Sequence, residues 1–409
     1  MKKSIWYSTI LCLFLFSGCA KNSWQSNAMN TNSESNNQNA TLADGNIPDA
    51  MSDWEIIADV SDQWFECSYG FILDYTKMSI DTQNRIWIYG PDLWNGPIGG
   101  ITDNPGCEGY DGQRRIIVYD PTTGVAENLN VDFGEGLDLS SASGWTHLED
   151  DRVILNSVFI YASPWDGPNG GKDNKFIDIA ILEHGELREL ISESYDYFSV
   201  PDYAISENKL YVLINSEDNP HPRLIVFDLE TEQQNQVVNL TSCSDPRSIE
   251  ASNENLFLLC KEESSVYSLQ IFSSDFSLLK SWNGQINFAP ELINHGTGFP
   301  LAVDAEGRVW VGYSYIVKNV GGEWVLETLF PDQNLMLADN EGFSPRPIFG
   351  MMPYKNMMLF SVDGAIFLAD YDNKEWKILE HGFSPLPIAV GADGWIYVFT
   401  GKYIITANP

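Results

Sequence analysis

Gln83-Asn84-Arg85-Ile86-Trp87 joins a polar turn to a basic, an aliphatic and an aromatic residue, and this order returns along the chain. It reads Glu207-Asn208-Lys209-Leu210-Tyr211, Asn253-Glu254-Asn255-Leu256-Phe257, Glu306-Gly307-Arg308-Val309-Trp310 and Asp393-Gly394-Trp395-Ile396-Tyr397. Two weaker copies fill the wider gaps, Asp150-Asp151-Arg152-Val153-Ile154 and Tyr354-Lys355-Asn356-Met357-Met358. Anchored at residues 85, 152, 209, 255, 308, 356 and 395, the copies lie about 52 residues apart on average, the length of one four-stranded repeat. A short strand such as Lys77-Met78-Ser79-Ile80 precedes the turn, and another such as Ile116-Ile117-Val118-Tyr119-Asp120 or Leu224-Ile225-Val226-Phe227-Asp228 follows. Strand, turn, strand, loop, strand, turn and strand make an antiparallel meander. Seven such units predict an all-β, seven-bladed β-propeller of four-stranded antiparallel blades. After Tyr403 only one more strand fits, so Trp54-Glu55-Ile56-Ile57-Ala58-Asp59-Val60 is expected to complete the last blade and close the ring.

Trp87, Tyr211, Phe257, Trp310 and Tyr397 share one register position. Their strand periodicity assigns them to the wedge between neighbouring blades, where large flat side chains fill the gap.

The chain has 409 residues and a formal charge of −34. So anionic an exterior argues against nucleic acid as a partner. Lys2 and Lys3 open an n-region, and Ile5 to Phe16 form an apolar stretch too short for a permanent span. Phe16-Ser17-Gly18-Cys19 follows and resembles the lipobox of bacterial lipoproteins, with Phe16 where Leu is usual. The resemblance implies a leader at residues 1–18, lipidation of Cys19, and membrane attachment through that lipid rather than a basic patch. The Asn/Ser-rich segment within 19–50 has too little apolar content to fold and reads as a tether, reaching about 30 Å as a coil. Residues 51–409 then form the propeller domain. The expected location is the bacterial cell envelope, lipid-anchored at the outer membrane, the cell surface or the periplasmic face.

Ile80-Asp81-Thr82-Gln83-Asn84-Arg85-Ile86-Trp87-Ile88, a Gly/Pro-rich loop with Cys107, and Arg115-Ile116-Ile117-Val118-Tyr119-Asp120-Pro121-Thr122-Thr123-Gly124 resemble the opening blade of the yellow/major royal jelly protein family. The likeness covers one blade of seven and implies the fold rather than an activity. The repeats are also similar to those of bacterial propeller lipoproteins.

Two long insertions resemble each other, Trp94-Asn95-Gly96-Pro97-Ile98-Gly99-Gly100 and Trp165-Asp166-Gly167-Pro168-Asn169-Gly170-Gly171. Both follow the second strand of their blade, so both should emerge on one face. Trp94, Asn95, Trp165, Asp166 and Asn169 are the candidate ligand-binding residues, a ring surface with amides and a carboxylate to orient a glycan or peptide. The competing reading is that each Trp folds over its own loop. Gly342-Phe343-Ser344-Pro345-Arg346-Pro347-Ile348 and Gly382-Phe383-Ser384-Pro385-Leu386-Pro387-Ile388 form a second pair. These place His295, Arg346 and His381 as candidates at the channel mouth, against a plain role as rigid turns.

No H-E-x-x-H, P-loop or G-x-S-x-G is present. No metal ligand set and no catalytic residue is assigned, and no cofactor is called. Calcium is the one ion the Asp393-Gly394 and Asp304-Ala305-Glu306-Gly307 turns suggest, although hairpins explain them better. Cys67, Cys107, Cys243 and Cys260 permit three pairings, with proximity favouring Cys67–Cys107 and Cys243–Cys260 and a buried free thiol competing at Cys260. Three functional readings stay open. The first is a binding module for a glycan, peptide or partner protein. The others are a propeller hydrolase or lactonase with a divalent metal in the channel, and a structural part of an envelope assembly.

Overall fold

The computed structural model describes residues 54–60, 77–89, 116–129, 137–141, 144–162, 175–191, 202–214, 221–252, 255–262, 266–287, 301–312, 314–329, 348–362, 365–381, 387–400 and 403–408. They form antiparallel sheets and no helix. β1 (Glu55–Asp59) comes first in the chain and finds its partner last. Blade one is β2 (Lys77–Ile80), β3 (Ile86–Tyr89), β4 (Ile116–Asp120) and β5 (Val125–Leu129). Blade two is β6 (Leu137–Ser141), β7 (Gly144–His147), β8 (Val153–Ala162), β9 (Lys175–Glu183) and β10 (Glu186–Ile191). Blade three is β11 (Asp202–Ser206), β12 (Lys209–Ile214), β13 (Arg223–Asp228) and β14 (Gln233–Asn239). Blade four is β15 (Pro246–Ser252), β16 (Asn255–Lys261), β17 (Val266–Ser273) and β18 (Leu278–Asn287). Blade five is β19 (Leu301–Val303), β20 (Val309–Val311), β21 (Tyr315–Val320) and β22 (Glu323–Thr328). Blade six is β23 (Ile348–Tyr354), β24 (Met357–Val362), β25 (Ala365–Asp370) and β26 (Glu375–His381). Blade seven is β27 (Ile388–Val390), β28 (Ile396–Phe399) and β29 (Tyr403–Ala407), with β1 as its outer strand.

Each sheet is a meander from inner to outer strand, so the expected seven-bladed propeller is the observed fold. β1 pairs with β29 from Glu55↔Thr406 to Asp59↔Tyr403, the ring closure expected from the sequence. Blade two departs in one detail. Its long strand β8 pairs with β7 through Val153–Asn156 and with β6 through Phe159–Ala162, so its inner strand comes in two pieces.

The repeated motif works through its turn. In blade one Asp81 N donates to Arg85 O at 3.1 Å and Asn84 N to Asp81 O at 3.0 Å. The same pair of bonds recurs at Leu148–Arg152, Asp304–Arg308 and Gly391–Trp395. This geometry needs a left-handed fourth residue, which is Asn84 (φ 63°), Asp151 (φ 69°), Gly307 (φ 74°) or Gly394 (φ 79°). Gly, Asn and Asp tolerate that conformation best.

In blades one and five the turn adds a clasp. Asp81 Oδ2 accepts from Arg85 Nε at 2.7 Å and Trp87 Nε1 at 2.8 Å. Asp304 Oδ2 accepts from Arg308 Nε at 2.6 Å and Trp310 Nε1 at 2.9 Å. In blade seven Gly391 stands where the aspartate would be, and a Cβ there would lie 2.3 Å from Asp393 Oδ1. Asp393 occupies that space instead, accepting from Tyr397 OH at 2.8 Å and Asn84 Nδ2 at 3.0 Å. The carboxylates of both turns that suggested calcium are thus engaged in hairpin and clasp bonds.

The core consists of layers between blades. Trp310 packs with Phe360 and Phe367 of blade six, and Phe257 with Trp324 of blade five. Tyr397 meets Ile86 and Ile88 of blade one, Trp87 meets Trp145 of blade two, and Tyr211 meets Phe276 of blade four. All five aromatics of the repeat are buried, each between neighbouring blades. Burying each such ring contributes on the order of 2–3 kcal/mol. In blade four a disulfide joins Cys243, just before β15, to Cys260 on β16 across a separation of 17 residues. Closing a loop of that length contributes about 3 kcal/mol in the chain-entropy account.

Candidate functional site along the inner strands

An antiparallel meander sends its two hairpins to one end of the blade and its remaining connections to the other. The tight turns described above therefore share one end of the ring. The inner strands begin at the opposite end, and the long intervals 90–115, 163–174, 288–300 and 330–347 are not among the described residues. Trp94, Asn95, Trp165, Asp166, Asn169, His295 and Arg346 belong to those intervals and lie outside the described residues, as do Cys19, Cys67 and Cys107. The backbone of His381 ends β26, opposite Ala365 on the outer pair of blade six, and its side chain is outside the described set.

The inner strands divide into two arcs. β2, β7, β11 and β15 read KMSI, GWTH, DYAIS and PRSIEAS, whereas β19, β23 and β27 read LAV, IFGMMPY and IAV. Along the first arc, side chains bond from blade to blade. Ser79 Oγ lies 2.9 Å from His147 Nε2, and Thr146 Oγ1 lies 2.7 Å from Tyr203 OH. Asp202 Oδ2 accepts from both Ser248 Oγ and Ile249 N at 2.8 Å, and Asp202 Oδ1 accepts from Tyr203 N at 2.9 Å. Along the second arc the strands approach through apolar surface. A Cβ on Gly350 would lie 3.3 Å from Ile388 Cγ1, so β23 and β27 sit close enough that only a small residue fits.

The ionisable groups of the polar arc respond to this setting. Enclosure by the surrounding strands pushes Asp202 up to about 6, against three hydrogen bonds that favour its charged form. Enclosure pushes Glu250 up to about 7, with the Ala251 N–H opposing and the Asp202 charge adding to the rise. The two acids sense each other, so ionising one discourages the other. Tyr203 is raised by burial and by both carboxylates. Burial also lowers Lys77, the first residue of β2.

His147 is pushed down to about 4, chiefly by burial, and is neutral at pH 7. Trp145 Nε1 can only donate, and it donates to His147 Nε2 at 3.0 Å. The histidine proton therefore sits on Nδ1, which is buried with no hydrogen-bond partner.

Chemically, the polar arc offers paired carboxylates, hydroxyls and a neutral imidazole, whereas the aliphatic and Met side chains of the apolar arc pack into the core between blades. Among the described residues no group of three or more His, Cys, Asp or Glu is placed to hold a metal ion. Sequence reading missed Asp202, Glu250, His147 and Tyr203 as a set. Glu250 follows a simple in-out alternation, Ile249 and Ala251 facing the core, which gives no sign that it meets Asp202 from the neighbouring blade.

No family model matches the chain, and no curated protein matches it. The likeness to the yellow/major royal jelly family thus rests on the strands of one blade. Among solved structures, the chain is similar to the Dos1 propeller at 12% identity, covering 81% of this chain and 92% of that one, with a TM-score of 0.48. It is similar to a streptogramin B lyase at 12% identity, covering 82% and 93%, with a TM-score of 0.43. It is similar to the extracellular domain of the one-component system BT4673 from B. thetaiotaomicron at 10% identity, covering 87% of this chain, with a TM-score of 0.45. The chain spans about two fifths (40%) of that last protein's length. The assignment of the fold rests on the strand pairing, not on these likenesses.

Proposed function

We propose that the protein is an exported binding module. A leader at residues 1–18 is removed, Cys19 carries the lipid, residues 19–50 form the tether, and the propeller presents a ligand seat where the inner strands begin. The observation that carries this reading is the division of those strands into a polar, acid-bearing arc and an apolar one. A ligand suited to both has a hydrogen-bonding, positively charged side and an aliphatic side, which a basic peptide segment of a partner supplies. The formal charge of −34 favours the approach of such a ligand over an acidic one. Both the Trp94 and Trp165 segments follow the second strand of their blade in the sequence, and on this reading they would extend the seat.

The test is calorimetric titration with a Lys/Leu peptide and its Glu/Leu counterpart. The basic peptide should bind, weaken with salt, and weaken again as pH falls through about 7 and about 6, where Glu250 and Asp202 take up protons. Glu250→Gln should remove most of that pH dependence. Equal binding of the two peptides, or an unchanged profile in the variant, would overturn the proposal. The hydrolase reading has one observation in its favour, a carboxylate pair that titrates near neutrality.

A further inference from the structure

Between blades three and four, reaching the inner strand β15 at Ile249, lies a cavity of about 260 Å³. Its floor is apolar, made of Leu224, Leu240, Ile249, Leu256 and Leu258, all buried. Its rim is polar and exposed at Asn239, Thr241 and Ser242. No lining residue carries a charge, in a chain whose residues are 20% charged.

Phe276 also lines this cavity, and its backbone is held at φ 64°. The turn is the one already met in the repeat. Ser273 N donates to Ser277 O at 3.0 Å and Phe276 N to Ser273 O at 2.9 Å, so the fourth residue must be left-handed. Elsewhere that place is taken by Asn, Asp or Gly, whereas a bulky aromatic there is a strained outlier. The ring reaches across to blade three, 6.4 Å from Tyr211 in an edge-on contact. Strain of this kind persists where surrounding structure imposes it, and it concentrates at ligand clamps.

We propose that this cavity is a binding site for a small uncharged molecule built on an apolar ring or short branched chain, with Phe276 as its cover. The volume exceeds the roughly 150 Å³ of an apolar cavity that admits benzene. An apolar floor rejects a charged group, which would lose its hydration with no partner. The polar rim meets one hydroxyl or N–H at the mouth. Ile249 lines this cavity while its N–H donates to Asp202, so the cavity adjoins the inner-strand seat, but its uncharged lining selects a different ligand and the proposal does not rest on that seat.

Saturation-transfer NMR on the full chain with indole, 1-naphthol and cyclohexanol as probes tests the proposal. At least one should bind with a dissociation constant of about 1 mM or tighter. Leu278 lines the mouth and is 50% exposed, so Leu278→Trp should fold normally and weaken binding at least ten-fold. Thr241→Trp on the opposite rim is a second blocking variant. Ile378→Ser, on an exposed face of blade six, should leave affinity within two-fold. Phe276→Gly should weaken binding several-fold, and because glycine accepts the left-handed backbone its relief of strain offsets part of the packing lost against Tyr211. Failure of all three probes to bind, or wild-type affinity in both tryptophan variants, overturns the site. Wild-type affinity in Phe276→Gly overturns the cover.

Discussion

Blade one and blade five share one turn and one clasp, Asp-x-x-x-Arg-x-Trp, yet the strands they hold differ. The clasp of blade five holds the apolar β19, and that of blade one holds the polar β2. Arg308 is nearly sealed, at 6% side-chain exposure, and Arg85 is 31% exposed. Arg308 also reaches blade six, donating to Asp372 at 3.0 Å and to Asn356 O at 2.9 Å. Blade one reaches its neighbours through exposed side chains instead, with Thr82 and Gln83 donating to Asp151 and Asn84 to Asp393. The contrast shows that the repeat specifies the scaffold, and that the inner-strand residues vary on it independently.

The sharpest way to break the equivalence is to remove the acceptor. Asp304→Ala orphans the Trp310 indole N–H and takes one carboxylate from Arg308, which keeps Asp372 and Asn356 O, and should cost about 2–4 kcal/mol in chemical denaturation. Asp81→Ala should cost roughly 1–3 kcal/mol, because water reaches Arg85. Equal losses would show that burial does not distinguish the two clasps.

A smaller effect separates the two ends of the polar arc by pH. Asp202 and Glu250 have folded values above their ordinary ones, so the folded state binds more protons than the unfolded chain between about 4 and 7. Their contribution to stability improves as pH falls through that window. His147 has a folded value lowered to about 4 from 6.5, so the unfolded chain binds more protons there and stability is lost as pH falls through 6.5. Melting temperatures from pH 8 to 5 should therefore show Glu250→Gln losing part of the gain seen in wild type. His147→Gln should remove a loss. Parallel curves for all three proteins would sink the assignment. Smallest of all, Thr82→Ala deletes an exposed bond at 3.1 Å and should shift stability by no more than about 0.5 kcal/mol.

The scaffold was legible in the sequence because its determinants are local. A turn that needs a left-handed residue recurs at Asn84, Asp151, Gly307 and Gly394, and a buried aromatic follows three residues later in all but the Asp151 copy, where Ile154 stands. Ring closure was legible too, since counting strands from Tyr403 leaves one missing. The polar arc has no such signature. Asp202 and Glu250 belong to different blades, and the contact between Asp202 and Ile249 exists only once both blades are stacked. Phe276 was hidden for the opposite reason, since it occupies the familiar turn with a residue the turn disfavours. The broken inner strand of blade two, with Thr146 and His147 on its second piece, was likewise invisible to a uniform four-strand count.

The pairing of β1 with β29 also sets a schedule. The first strand of the fold cannot take its place until Tyr403–Ala407, its partner, has been made. At roughly 5–20 residues per second, the interval between the two is about 20–70 s of synthesis. Throughout it the Glu55–Asp59 segment lacks its strand partner and has only its contacts with blade one, such as the Tyr119 hydroxyl on Ile57 O, and blade seven lacks its outer edge. Under the proposed export, a ring that closes only at the end of synthesis suits a chain that crosses a membrane before folding, since early closure would obstruct its own passage.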